Sequence, residues 1–242
     1  MAGAEIGATR RDLSAALPRL HGATTLPGRL YQELETAIIS GALAPGQRLH
    51  ADDIGRHYGV SRIPVREALS SLDQAGWVDI TPRHGVHVRQ RTPEELTELF
   101  EFRADVEGLV ARWAAQRRTD ADLALLTHAA KASREVVDDG DLQEVLDAST
   151  RFRDALRAAA HNSVLAGTSA TLEKRARFYF STVAHELGSE WLQVHDDVLD
   201  RVREHDADGA ADITSRHIVA TGSAVHRLLF DSPADEEPTP AS

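Results

Sequence analysis

Cysteine is absent from the 242 residues. That excludes disulfides, thiolate catalysis and thiolate metal sites, and it is the usage expected of a cytoplasmic chain. No run of about 18 apolar residues occurs, so no membrane span is expected. The start, Met1-Ala2-Gly3-Ala4-Glu5, lacks a basic region leading into an apolar stretch, and no signal peptide is expected. There is no His-Glu-x-x-His pair, nucleophile elbow, P-loop or Gly-rich dinucleotide loop, so nothing marks a hydrolase, kinase or oxidoreductase. Lysine is missing from residues 24–91, where 8 Arg face 7 acidic residues for a balance of +1. Residues 92–242 hold 16 basic against 29 acidic residues, a balance of −13, within an overall −11. The acidity lies in the second half, which argues against nucleic-acid contact there. The first part would have to bind DNA through a few placed arginines, weakly outside its target and less tightly as salt rises.

What is present is sharpest at Val60-Ser61-Arg62-Ile63-Pro64-Val65-Arg66-Glu67-Ala68-Leu69. Val65, Ala68, Leu69 and Leu72 recur at helical spacing and define a buried stripe. Arg62 and Arg66 are spaced to share another face. Ser61 is placed as an N-cap, and Pro64 falls within the first turn, where proline is tolerated. Upstream, Asp52 to Tyr58 reads as a short helix closed by Gly59. Two short helices about a glycine turn, the second bearing arginines, form a helix-turn-helix pattern. Leu30, Leu34 and Ile38 mark a helix before it. Val78–Thr81 and Val86–Arg89 alternate as strands after it, joined by the turn Pro82-Arg83-His84-Gly85. The whole is a winged helix-turn-helix pattern.

Leu30 to Arg91 resembles the DNA-binding domain of GntR-family transcription regulators. The resemblance rests on Ile38-Ile39-Ser40-Gly41, Pro45-Gly46-Gln47-Arg48-Leu49, the Val60–Leu69 stretch, Leu72, Gly76-Trp77-Val78 and His84-Gly85. It implies DNA contacts from Ser61, Arg62 and Arg66, and from the wing pair His84 and Gly85. The arginines would meet a guanine edge or phosphates in the major groove, the wing pair the minor groove. The alternative is that Arg62 and Arg66 are solvated surface groups. Arg89 and Arg91 after the wing are open to two readings, phosphate contacts or linker solvation.

The second half reads as helices throughout. Thr92-Pro93-Glu94-Glu95 is a capping-box pattern opening a helix to about Arg117. Others are expected from Thr119 to about Asp138, Asp141 to Ala160, Ser163 to Ala184, Ser189 to His205 and Ala207 to Phe230. Polar residues interrupt three of the apolar faces. Ser149 and Arg153 fall among Leu142, Val145, Leu146, Phe152 and Leu156. His195 falls among Trp191, Leu192, Val198, Leu199 and Val202, and His217 lies on the stripe running from Ile213 through Ile218 to Leu228. Polar groups facing a core are costly unless they are paired or line a cavity, and bundle cavities bind ligands.

Residues 94–230 resemble the all-helical FCD domain of the FadR-like branch of that family. The marks are Phe102-Arg103 followed by Glu107, Ala114-Ala115, the Phe152 region with Asn162, and His195 with His217. The resemblance implies a divalent metal, held by an Asp, a His and two further His, that in turn holds a carboxylate effector. This chain departs from the pattern. Ser149 stands at the Asp position and Arg153 at the His position, leaving only His195 and His217 as metal ligands. A guanidinium stays protonated and ligates no metal. No cofactor is therefore expected. Arg153 would instead hold the effector carboxylate directly through its planar fork, with His195, His217 and Ser149 as polar contacts and Arg103 as a further candidate. The competing readings pair Arg153 with Glu107 in a degenerate pocket, or pair Arg103 with Glu107 along one helix face.

The expected molecule is mainly α. Residues 1–23 are expected as a loose, flexible N-terminal extension, 24–91 as the winged helix-turn-helix, 92–231 as an antiparallel helical bundle for effector binding and dimerisation, and 232–242 as a disordered acidic tail. It should be no enzyme but a ligand-responsive repressor, homodimeric, with double-stranded operator DNA and a small organic acid as its partners. A metal-dependent sensor of the same fold, a metal-dependent hydrolase and a non-sensing structural DNA-binding protein are the alternatives.

Overall fold

A computed structural model describes residues 25–136, 141–187 and 190–231. The expectations for the N-terminal extension, the acidic tail and the helix end near Asp138 lie outside them. Within them the protein is mainly α, with nine α-helices and one small sheet.

The N-terminal domain begins with α1 (Leu26–Ile39), whose first turn is capped by the Thr25 hydroxyl accepting from Gly28 N at 3.3 Å. Leu30, Leu34 and Ile38 are buried along one side, as their spacing requires. Helix α2 (Ala51–Tyr58) ends at Gly59, whose left-handed φ of 66° turns the chain toward α3 (Arg62–Gln74). Val65, Ala68, Leu69 and Leu72 seat α3 on α1. Ser61 occupies the N-cap position of α3, but its side chain caps nothing.

The wing is a hairpin of β2 (Val78–Thr81) and β3 (Gly85–Val88), paired from Val78↔Val88 to Thr81↔Gly85. The sheet has a third member that the sequence pattern does not announce, β1 (Arg48–Leu49), pairing Leu49 with Val86 in the order β1-β3-β2. Two residues are too few to show alternation, so periodicity could not reveal them.

Six helices make the C-terminal domain: α4 (Pro93–Arg117), α5 (Asp120–Glu135), α6 (Leu142–Ala159), α7 (Ser163–Phe180), α8 (Val194–Arg203) and α9 (Ala207–His226). Only half of the expected Thr92 capping box forms. Thr92 Oγ1 accepts from Glu95 N at 3.2 Å, while the Glu95 carboxylate is engaged by Arg89 and Tyr179. The full reciprocal box occurs instead at Thr119–Asp122 and at Asp141–Glu144. Three expected boundaries move inward. Helix α7 stops at Phe180, and Val183 and Ala184 enter the core from a turn; α8 is preceded by a 3₁₀ turn over Glu190–Gln193; and α9 loosens into a π turn after His226.

Helix α4 is the spine and lies along α9. Their approach is close because Gly222 faces Phe100, where an added Cβ would fall 2.7 Å from the Phe100 ring. Gly222→Ala should therefore overpack this crossing and cost about 1–3 kcal/mol. Thermal unfolding should record it as a midpoint lower by about 2–4 °C per kcal/mol. An unchanged midpoint would refute the close-approach account.

One apolar core runs through both domains. Leu34, Leu72 and Trp77 belong to the same cluster as Leu96, Phe100, Phe178 and Tyr179. A second core, built of Val110, Leu126, Phe152, Leu199 and many alanines, fills the far end of the bundle.

Candidate functional site

The DNA-facing surface is assembled by α3 and the wing. Arg62, Ile63 and Arg66 are exposed on α3, and Ile63 is 70% exposed despite being apolar. Ser61 is exposed just ahead of them. The Arg62 guanidinium is gripped by Asp52 of α2, donating from Nη2 at 2.7 Å. Both members are exposed, so releasing the arginine costs little. Arg66 has no hydrogen bond or ion pair among the described residues. In the wing, His84 is exposed and Gly85 adopts φ 100°. The Arg48 guanidinium lies close by Gly85, where a Cβ would meet its Nε at 3.3 Å. Arg48 was legible only as part of a family motif, because β1 itself gave no periodic signal. Arg89 and Arg91 turn the other way. Arg89 pairs with Glu95 at 3.1 Å, and Arg91 donates to Thr182 Oγ1 at 2.6 Å while covering the Phe178 ring. They belong to the seam between domains.

Inside the bundle, two adjoining cavities share Arg153 as a wall. The larger, about 40 Å³, is bordered by Arg103, Ser149, Arg153, Arg177, Trp191 and Thr221. The smaller, about 20 Å³, is bordered by Glu107, Arg153, His195, Thr214 and His217. All five effector-site candidates from the sequence thus meet around one interior space. Arg177 and Thr214 join them, and neither stood out earlier because a polar residue on one turn of a helix looks like surface.

The charges around this space are arranged in a chain. Arg157, buried, donates to Glu173 at 2.6 Å and to Asp154 at 2.5 Å. Ser169 Oγ donates to Glu107 at 2.9 Å. Arg103 lies 3.7 Å from the Glu107 carboxylate, so the ion pair expected along α4 exists, but loosely, and Arg103 Nε has no hydrogen-bond partner. Arg153 forms no pair with Glu107; its Nε donates to Ser149 Oγ at 3.3 Å. Four arginines (103, 153, 157 and 177) therefore face two buried carboxylates, Glu107 and Glu173, and the exposed Asp154. Burial first, then the neighbouring Arg153, lowers the Arg103 pKa to about 10, which still leaves it charged at neutral pH. Glu173 is held below its usual range: burial opposes this, and Arg153, Arg157 and Arg103 outweigh it.

The histidines are neutral. Burial, then Arg153 and Arg103, push His217 down to about 3, and burial with Arg153 and His217 holds His195 well below its usual value. His195 stacks on Phe152 with ring centroids 4.1 Å apart, and its Nδ1 is 3.0 Å from Ser133 Oγ. Ser133 Oγ also lies 3.1 Å from Ala129 O, so the hydroxyl has an acceptor on its own helix as well as the imidazole beside it. His217 Nε2 and Thr214 Oγ1 are buried without a partner. The donor set does not fit a divalent metal. A guanidinium occupies one corner, and among the described residues no three His, Cys, Asp or Glu side chains gather in ligand geometry.

Helix α7 links this space to the other domain. Glu173 and Arg177 face the cavity side, whereas Lys174 Nζ donates to Glu35 of α1 at 2.9 Å. Glu35 is buried and also accepts from Tyr31 Oη at 2.7 Å and Trp77 Nε1 at 3.1 Å. Burial alone would push Glu35 up; the bonds from Lys174, Tyr31 and Trp77 overcome it and hold the carboxyl low. The stability from those bonds is thus present above the ordinary carboxylate value of 4.5 and is lost as pH falls through the lowered one. Arg175 donates to Ala75 O at 3.2 Å, and Trp77 meets Phe178 edge-on at 6.0 Å.

Among the described residues no helix is long and apolar enough to cross a membrane. Comparison with known proteins places both parts. Residues 26–88 match the family described as bacterial regulatory proteins, gntR family, and residues 98–220 match the FCD domain. An uncharacterised HTH-type transcriptional regulator, YdhC, of Bacillus subtilis (strain 168) is 24% identical over 55% of this chain and 60% of its own length, less than two thirds of it. The galactonate operon transcriptional repressor of Escherichia coli (strain K12) is 26% identical over 75% of this chain and 89% of that protein. The solved structure of E. coli McbR/YncC superposes with a TM-score of 0.73 at 20% identity, covering 85% of this chain and 99% of that one, and shows the same fold. The chain belongs to the GntR family of DNA-binding transcriptional regulators, with an FCD domain following its winged helix-turn-helix, and it is not an enzyme.

Proposed function

We propose that this regulator is a homodimeric repressor whose grip on operator DNA is released by a small organic acid held at Arg153. The observation that carries the reading is the interior space where arginines outnumber carboxylates and buried polar atoms stand without partners. A carboxylate entering it gains charge-assisted bonds from a planar fork, in the role a metal would otherwise fill. Ser149 adds a hydroxyl and Arg103 a second cation. His195 and His217 supply neutral polar contacts. The similarity to a repressor named for the operon of a sugar acid supports both the sign and the ligand class.

On the DNA side, Arg62 and Arg66 would enter the major groove, with Ser61 at a phosphate and His84 and Gly85 at the minor groove. Arg48, beside Gly85, is positioned to join them. Two copies are needed because one small domain reads too few base pairs for useful affinity.

Helix α7 supplies the route between the sites. An anion that draws Arg153 or Arg103 away from Glu173 changes what Glu173 offers Arg157. The adjacent Lys174 bears on Glu35 from the same rigid helix. Coupling of about 1–3 kcal/mol is typical for such linkage. The test is fluorescence anisotropy of the full chain on DNA fragments enriched by its own binding, titrated with small organic acids. Release of DNA by an acid in the wild type, with a weaker release in Lys174→Met, is the expected outcome. DNA binding indifferent to every acid, or an undiminished response in Lys174→Met, would refute the ligand or the route respectively.

A further inference from the structure

Helix α3 shows solvent one large apolar side chain, Ile63, which is 70% exposed. The packing of the domain does not use it. Val65, Ala68, Leu69 and Leu72 seat the helix. Val60 packs on the same core just ahead of the N-cap residue Ser61, in the position of a hydrophobic staple with Val65. A β-branched residue in an exposed first turn adds nothing to helix propensity. A lone apolar residue on a surface is ordinary and needs no explanation. Ile63, however, stands among groups that project toward DNA, with Arg62 before it and Arg66 one turn later, both exposed. At about 3.6 residues per turn, Arg66 falls between Arg62 and Ile63 around the helix axis. The three side chains form one projecting row.

The major groove offers nitrogen and oxygen atoms on every base pair, and one apolar group, the C5 methyl of thymine. An isoleucine side chain neither donates nor accepts a hydrogen bond. Set against the amino group of cytosine or N7 of a purine, it would strip water from a polar edge and return nothing, which costs free energy. Set against a thymine methyl, it removes apolar surface from water on both partners. Arg62 starts from its pair with Asp52, whereas Arg66 has no partner among the described residues. The two side chains of the row that nothing else engages, Arg66 and Ile63, are thus neighbours three residues apart.

We infer that Ile63 reads a thymine methyl group in each operator half-site, on a base pair next to the one that Arg66 meets. The inference rests on the placement of α3 in the major groove proposed above. Ile63 is then a specificity-determining residue that works by attraction to one base and by leaving the polar edges of the others unsatisfied. It carries no charge, so its share of the affinity should hold as salt rises, while phosphate contacts weaken.

Duplexes enriched from a random pool by binding to the full chain supply the probe. Deoxyuridine replaces one thymine at a time, which removes the methyl and keeps the hydrogen-bonding edge. Wild-type protein should bind about 3- to 10-fold more weakly when one particular thymine of a half-site is changed, the scale of burying one methyl group. Ile63→Ala should bind the thymine and deoxyuridine duplexes equally, at the weaker level. Indifference of the wild type to deoxyuridine at every thymine of the half-sites would overturn the inference, and that arm needs no variant. A methyl effect that persists undiminished in Ile63→Ala would overturn the assignment to Ile63. Arg66→Ala distinguishes these failures from failure of the underlying placement. Relaxed base preference in Arg66→Ala, with no methyl effect anywhere, sinks the role of Ile63 alone. Unchanged preference in both variants sinks the placement of α3 in the groove, and Ile63 with it.

Discussion

Arg153→Ala is expected to abolish the response to organic acids while operator binding persists. Among the described residues the guanidinium makes a single hydrogen bond, to Ser149 at 3.3 Å, and it belongs to α6 of the other domain from the DNA-reading surface of α3 and the wing. Its loss leaves the buried Glu173 still paired with Arg157 at 2.6 Å, so the fold should survive it. What it removes is the cation common to both cavities. A charge-assisted hydrogen bond contributes about 1.5–3 kcal/mol, and a forked pair more, so effector affinity should fall at least about 10- to 100-fold. Arg153→Lys should restore only part of it, since an ammonium keeps the charge but not the fork. The same experiment separates the arginine from a metal. Protein treated with a chelator should respond as fully as untreated protein. A normal response in Arg153→Ala, or a response that requires added divalent ions, would sink the proposal. Anisotropy on one operator fragment, with and without acid, reads all three arms.

Arg66→Ala should weaken operator binding by about 1–3 kcal/mol per copy and relax sequence preference at one position of each half-site. Arg66 is the arginine of α3 with no competing partner among the described residues, so nothing offsets its contact with DNA. Arg62 begins from a pair with Asp52 and must exchange it, so its substitution should cost less. Arg83→Ala in the wing makes the contrast. A phosphate contact there would lower affinity alike on all sequences and reduce the slope of affinity against salt, without touching preference. With a balance near +1 over residues 24–91, the domain has no broad basic field to mask such losses. Equal loss on specific and random DNA for Arg66→Ala would reassign it to the backbone.

The sequence carried the fold wherever packing leaves a period. Leu30, Leu34 and Ile38 recur at helical spacing because one side of α1 faces the core, and Val65 to Leu72 repeat the logic in α3. Caps at Thr92 and Thr119 marked helix starts within a residue or two. The pocket was half legible. Ser149, Arg153, His195 and His217 were visible because they interrupt otherwise apolar faces. Arg157, Ser169 and Glu173 were not, because buried polar residues that satisfy one another leave the spacing of an ordinary solvated face. Helix α7 was the least legible element. It is covered on the cavity side and on the side toward α1, so no single stripe distinguishes it, and its role as the connection between domains exists only in three dimensions.

Trp77 donates its indole N–H to Glu35 at the seam between domains, and Trp191 borders the larger cavity. The third tryptophan, Trp113, lies under Arg117 at neither place. The chain thus has a native chromophore at each end of the path from ligand to DNA reader. Replacing Trp113 and one of the other two with phenylalanine leaves the last as the sole indole witness, so ligand arrival and domain movement become separately timed signals in a stopped-flow experiment on otherwise unlabelled protein.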